Sequence, residues 1–105
     1  MANKKKLYLD FDFLDKLVVG IGEVSTITEV PTRQIRYWEE KKIIVGINDE
    51  KGKNRRYDYF NIKKILLIKE LLDEGYSLDG AVKKVEKRIK MIEDTLTKVK
   101  KAYNT

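Results

Sequence analysis

Neither cysteine nor histidine occurs in this 105-residue chain, and proline occurs once. The missing cysteine excludes disulfides, thiolate metal sites and a cysteine nucleophile. The missing histidine removes the commonest general base and the commonest transition-metal ligand. An enzyme would be left with carboxylate, lysine or serine/threonine chemistry, and no glycine-rich phosphate loop or carboxylate set in an apolar pocket motif accompanies those residue types. The expectation is a protein that is not an enzyme and carries no cofactor and no metal. Long apolar runs are also lacking. The longest uncharged stretches, Leu17 to Gly22 and Ile43 to Asn48, are far shorter than the roughly 20 residues that span a bilayer. MANKKK is basic, but LYLDFDFLDK follows it with three aspartates, which is not the pattern of a secretory signal. A soluble cytoplasmic protein with no membrane partner is predicted.

What the chain has in quantity is charge. Charged residues make up 38%, and 23 Lys plus Arg against 17 Asp plus Glu give a formal net charge of +6. Residues 1–6 sum to +3, 7–30 to −4, 31–60 to +3, 61–82 to −1 and 83–105 to +5. Positive charge concentrated in blocks favours an anionic partner such as nucleic acid, although a solvated basic surface gives the same sum. The length suits one small domain.

From Leu7 to Val18, apolar residues at Leu7, Phe11, Leu14 and Val18 fall at helical spacing between aspartates, and predict a short amphipathic helix. Gly20 and Gly22 mark a break. Ile21, Val24 and Ile27, three apart, predict a second helix to Thr28. Pro31 stops it, because proline lacks an amide proton and pushes Val30 out of the helical region, yet it suits the opening of the next helix. That helix, about Thr32 to Lys41, has Ile35 and Trp38 as its buried side, which leaves Arg33, Gln34, Arg36 and Tyr37 as contact candidates. Two helices joined across Glu29 to Pro31 have the spacing of a helix-turn-helix.

Ile43, Ile44, Val45 and Ile47, the polar tract Asn48 to Asn54 and then Arg55 to Tyr59 predict a β-hairpin wing with Lys51 and Lys53 at its tip. Asp58 is placed to cap a helix from Tyr59 to Glu74 with Ile62, Ile65, Leu66, Ile68, Leu71 and Leu72 on its buried face. Gly75 ends that helix and Ser77 caps the next. From there Leu78, Val82, Val85, Ile89, Ile92, Leu96, Val99 and Tyr103 alternate in steps of four and three, a coiled-coil seam. Two readings stay open. Either 78 to 103 is one helix that pairs with a second copy, or it breaks near Arg88 and folds back on its own domain.

The run Ile21-Gly-Glu-Val, then Arg33-Gln-Ile-Arg-Tyr-Trp-Glu-Glu40, Asn54-Arg-Arg-Tyr57 and Ile68-Lys-Glu-Leu-Leu-Asp-Glu-Gly-Tyr-Ser-Leu78 resembles the DNA-binding domain of MerR-family transcriptional regulators. Within that family it is most similar to the short GlnR/TnrA-like branch. The resemblance implies a mostly α fold: a winged helix-turn-helix domain at 20–85 with a small β-hairpin wing, preceded by a tail and short helix at 1–19 and followed at 86–105 by a heptad helix for dimerisation. It departs from the family at Glu29 and Pro31, where glycine and serine are usual, and in having the amphipathic segment ahead of the domain. No cysteine is present for metal or redox sensing.

As implied by the resemblance, the chain is a sequence-specific regulator of transcription that binds double-stranded DNA as a homodimer on an inverted repeat, in the cytoplasm at the nucleoid, with RNA polymerase as a further partner. Thr32, Arg33, Gln34, Arg36 and Tyr37 face DNA. Arg33 suits guanine O6 and N7, and Gln34 suits adenine, because each presents paired groups to a base edge. Arg36 is open between a base or phosphate and an ion pair with Glu39 or Glu40, and Tyr37 between the DNA backbone and half-burial. Lys53, Arg55, Arg56 and Tyr57 of the wing face phosphates, which position without reading sequence; Tyr57 has the competing role of covering the base of the wing. Ile89, Ile92, Leu96, Val99 and Tyr103 form the dimer seam. The basic residues Lys83, Lys84, Lys87, Arg88, Lys90, Lys98, Lys100 and Lys101 are the outer face of a coiled coil or, for the first few of them, a flank for DNA. Two other functional classes stay in view: an architectural, excisionase-like protein that bends DNA, and a module whose heptad helix captures a protein partner.

Overall fold

The computed structural model describes residues 11–48 and 54–103. The segment Leu7 to Asp10 and the proposed hairpin tip with Lys51 and Lys53 lie outside the described residues. The chain divides into two compact units, Met1–Leu66 and Leu67–Thr105.

Among the described residues of the first unit, helix α1 (Phe11–Lys16) and strand β1 (Val18–Gly20) come first. The helix ends earlier than its apolar spacing predicts, because Val18 is taken up by a sheet. β1 pairs antiparallel with β3 (Arg55–Asp58), and β3 pairs antiparallel with β2 (Ile47–Asn48), giving the order β1-β3-β2. Val18 faces Asp58 and Val19 faces Tyr57. The hairpin is shorter than its β-branched run suggests. Ile43 to Val45 are held away from strand pairing by the helix that follows: Lys64 donates to the Ile43 carbonyl at 2.6 Å, and the Asn61 side chain accepts the Val45 amide at 2.8 Å. Tyr59 belongs to that helix and not to the hairpin.

Helices α2 (Ile21–Thr28) and α3 (Thr32–Glu40) form the helix-turn-helix. Val24, Thr28, Val30, Ile35 and Trp38 are buried, whereas Ile27 is 57% exposed. The inward face of α2 thus runs through Val24 and Thr28, four apart, and not through Ile27. Thr28 is tolerated inside because its hydroxyl donates to the Val24 carbonyl at 2.8 Å and accepts the Val30 amide at 3.3 Å; a buried hydroxyl costs little once paired. The Pro31 carbonyl accepts the amides of Gln34 and Ile35 and so starts α3. At its other end the Ile43 amide reaches the Trp38 carbonyl and the Lys42 amide reaches the Glu39 carbonyl, both at 2.9 Å. That double closure requires a left-handed residue, here Lys42 at φ 63°. Glu29, which closes α2, has φ 61°.

Helix α4 (Tyr59–Asp73) starts where Asp58 Oδ1 accepts the Asn61 amide at 2.9 Å. The cap predicted for Asp58 is present, with its hydrogen bond at the third helical residue.

In the second unit, the last turn of α4 closes through Gly75, at φ 104°, with the Tyr76 amide on the Leu71 carbonyl and the Gly75 amide on the Leu72 carbonyl, each at 3.0 Å. The Ser77 hydroxyl accepts the Gly80 amide at 3.1 Å and opens α5 (Leu78–Tyr103). α5 is a single helix of 26 residues that runs without a break through Arg88, so the alternative with a break there is not the one observed. Ile68, Ala81 and Val85 are buried. No helix among the described residues is long and apolar enough to cross a membrane.

The helix ends generate opposite stability predictions. A Cβ at Gly75 would meet nothing within 4 Å, so Gly75→Ala costs only the strain of positive φ, roughly 1–2 kcal/mol. Glu29→Gly and Lys42→Gly relieve the same strain at the expense of glycine's larger unfolded-state entropy, for a net gain of roughly 0.5–1 kcal/mol each. Urea unfolding midpoints check the signs; a stabilised Gly75→Ala variant would contradict this account of the helix ends.

Candidate nucleic-acid interface

Helix α3 is two-sided because its apolar residues are three apart. Ile35 and Trp38 are wholly buried. At about 100° per residue this turns Arg33, Gln34, Arg36, Tyr37 and Glu40 outward, and all five are exposed. Together with Pro31 they line one open depression of about 660 Å³. Thr32 is half-buried at the start of the helix. Tyr37 is half exposed, and the Lys41 ammonium sits 5.2 Å from its ring centroid. A cation over an aromatic face restrains both side chains, so Lys41, which the sequence reading did not single out, bears on the position of the Tyr37 hydroxyl.

Glu39 is the acidic residue of this helix with defined partners. One carboxylate oxygen accepts the Tyr57 hydroxyl at 2.5 Å and the other is ion-paired with Arg55. Arg55 also donates to the Gly46 carbonyl at 2.9 Å and to Asn48 Oδ1 at 2.5 Å. The pairing raises the Arg55 pKa, chiefly through the hydrogen bond to Glu39. Tyr57 is wholly buried, and burial first, then the hydrogen bond and charge of Glu39, push its phenol up to about 12. Gly46 lies against this cluster: a Cβ there would come within 2.9 Å of the Tyr57 ring, 3.0 Å of Glu39 Oε1 and 3.1 Å of Arg55 Nη2.

Of the wing residues named from sequence, Arg56 is exposed on the outer side of the sheet, opposite Gly20 and Ile47. Arg55 is half-buried and turned to Glu39, and Tyr57 is buried, so the structure brings these two to the end of α3. Lys53 lies outside the described residues. On α5, Ile89 is half-buried while Ile92, Leu96 and Val99 are exposed, with Ile92 and Leu96 lining an apolar hollow beside Met91. The side chain of Tyr103 lies outside the described residues. Lys84 donates to the Tyr76 hydroxyl at 2.8 Å, which gives one lysine of the basic block a partner on its own unit. Among the described residues no three acidic side chains are grouped to hold a metal ion.

Residues 20–88 match the model for the MerR HTH family regulatory protein. The HTH-type transcriptional regulator TnrA of Bacillus subtilis (strain 168) is 31% identical over 85 residues, covering 81% of this chain and 76% of that protein. The HTH-type transcriptional regulator GlnR of Bacillus anthracis is 40% identical over 60 residues, 57% of this chain, and the match spans 46% of GlnR. Among solved structures, HiNmlR, a MerR family regulator lacking the sensor domain, bound to promoter DNA, superposes with a TM-score of 0.60 at 19% identity, covering 81% of this chain and 67% of that one. At that identity the superposition speaks for the fold.

The Glu39 cluster has a pH signature. A phenol pKa raised from 10 to about 12 in the folded state favours the protonated folded form. Its stabilisation is fully present below pH ~10 and is lost as pH rises towards ~12, where the folded protein also ionises. Urea midpoints of the native chain should therefore fall more steeply across that interval than those of Tyr57→Phe. Parallel curves would remove Tyr57 from the account.

Proposed function

The chain belongs to the MerR family of helix-turn-helix regulatory proteins, and from that premise we propose that it is a sequence-specific transcriptional regulator that binds double-stranded DNA as a homodimer on an inverted repeat. The observation that carries this reading is the complete burial of Ile35 and Trp38, which leaves Arg33, Gln34, Arg36 and Tyr37 together on the open side of the second helix of the motif. In this reading α3 enters the major groove. Arg33 and Gln34 approach base edges, where a bidentate pair discriminates by about 1–3 kcal/mol. Thr32, Arg36 and Tyr37 flank them on the backbone, and Arg56 with Lys53 neutralises phosphates from the wing. Such contacts set register and orientation.

Dimerisation is assigned to the exposed apolar stretch of α5. Ile92, Leu96 and Val99 are 51%, 38% and 45% exposed, and leaving them in water forgoes burial worth roughly 25 cal/mol per Å². A second copy supplies a matching seam at heptad spacing, with Ile89 and Tyr103 extending it. Cytoplasmic location at the nucleoid follows from the DNA partner.

Selection from a random pool of duplex DNA tests the reading. Recovery of an inverted repeat supports it; retention without a motif points instead to architectural binding, and no retention overturns the DNA-binding role. On the recovered duplex, log affinity should fall with log salt by ~0.9 for each phosphate neutralised, whereas Arg33→Ala should relax the base preference at one position of each half-site at a cost of about 1–3 kcal/mol. Ile92→Asp puts a charge in the seam; sedimentation equilibrium should show the dimer weakened and DNA affinity reduced with it. An unchanged mass would take Ile92 out of the interface.

A further inference from the structure

We propose that Glu39 is a positioning residue that locks the wing to the reading helix, with Arg55 and Tyr57 as its two struts in place of direct DNA contacts. This rests on the DNA-binding reading above and concerns how the two contact elements are held in register. Glu39 follows Trp38 directly, so burial of the indole fixes the side of the helix from which the Glu39 side chain projects. From there the hydrogen bond to Tyr57 and the ion pair with Arg55 reach β3, and Arg55 continues to the Gly46 carbonyl and to Asn48 in β2. One carboxylate thus links α3 to both strands of the wing. The cluster is close to the exposed face: Arg36, Glu39, Glu40 and Arg55 line a single depression. A carboxylate near phosphates opposes binding on charge alone, which makes a positioning role separable by sign.

Binding to the selected duplex is measured across salt for the native chain, Glu39→Gln, Arg55→Met and Gly46→Ala. The last crowds the cluster without changing charge. A lock predicts that each variant loses about tenfold in affinity, as when a charged hydrogen bond is removed, with the salt slope kept. It also predicts that Glu39→Gln combined with Arg55→Met binds no more weakly than either alone, since both break the same link. Tighter binding by Glu39→Gln, together with a slope shallower by ~0.9 for Arg55→Met, would make Arg55 a phosphate ligand and overturn the proposal.

Amide hydrogen exchange in the free protein decides the lock independently of DNA. Faster exchange at Ile47 and Arg56 in Glu39→Gln supports it, and unchanged exchange overturns it. If the native chain retains no duplex, the DNA-binding reading fails while the exchange result still stands. Tyr57→Phe, which removes one hydroxyl and keeps the ring, replaces Glu39→Gln in both measurements should that variant lose its circular dichroism.

Discussion

The rotation of α3 about its own axis is the constraint on which the candidate interface depends. Ile35 and Trp38 are wholly buried, and a helix with two inward residues three apart has little freedom to turn. Every exposed side chain of the helix inherits its direction from that pair. Replacing either anchor by a small residue would open a cavity at a cost of roughly 2–5 kcal/mol and would loosen the outward face at the same time. Core packing and the display of contact residues are therefore one event. The hydrogen-bonded closures around the helix, from the Pro31 carbonyl to the left-handed Lys42, hold its length as the core holds its rotation.

The second link runs through a polar side chain. Glu39 carries the fixed rotation of α3 into the sheet, because the residue after Trp38 points about 100° further round the helix, towards Arg55 and Tyr57. The ion pair is partly exposed, with side-chain exposures of 34% for Arg55 and 20% for Glu39, and partly exposed pairs contribute little to stability by charge alone. Its weight lies in geometry. Tyr57 occupies the interior of the wing, Arg55 spans β3 to β2, and Gly46 is the residue that lets them approach. The Arg55–Glu39 pair cancels within the net +3 of residues 31–60, so that excess is carried by the other basic residues, Arg33, Arg36 and Arg56 among them.

Local signals in the sequence carried well. The α2 and α3 helices, the turn at Glu29 to Pro31, the caps at Asp58 and Ser77 and the stop at Gly75 each depend on residues within a turn or two of one another. Non-local pairing was not legible. Val18 to Gly20 reads as the end of a helix and a break, and becomes a strand only because Arg56 to Asp58 lie beside it. Ile43 to Val45 have strand composition, yet Asn61 and Lys64, far along the chain, take their backbone groups first. Ile27 has the spacing of a core residue but is displaced by Thr28, whose hydroxyl is satisfied locally. The same holds at the interface. The outward set on α3 followed from Ile35 and Trp38, whereas the partnership of Glu39 with Arg55 crosses 16 residues and leaves no periodic trace.

In the proposed reading, α3 enters a major groove and Arg33 is among the residues that contact base edges there. Methylation interference on a bound duplex tests it most directly, because guanine N7 opens to the major groove and adenine N3 to the minor groove. Interference is expected at guanine N7 at symmetric positions in two half-sites, with the guanine facing Arg33 no longer sensitive in Arg33→Ala. Interference confined to adenine N3, or a guanine pattern unchanged by Arg33→Ala, would contradict it.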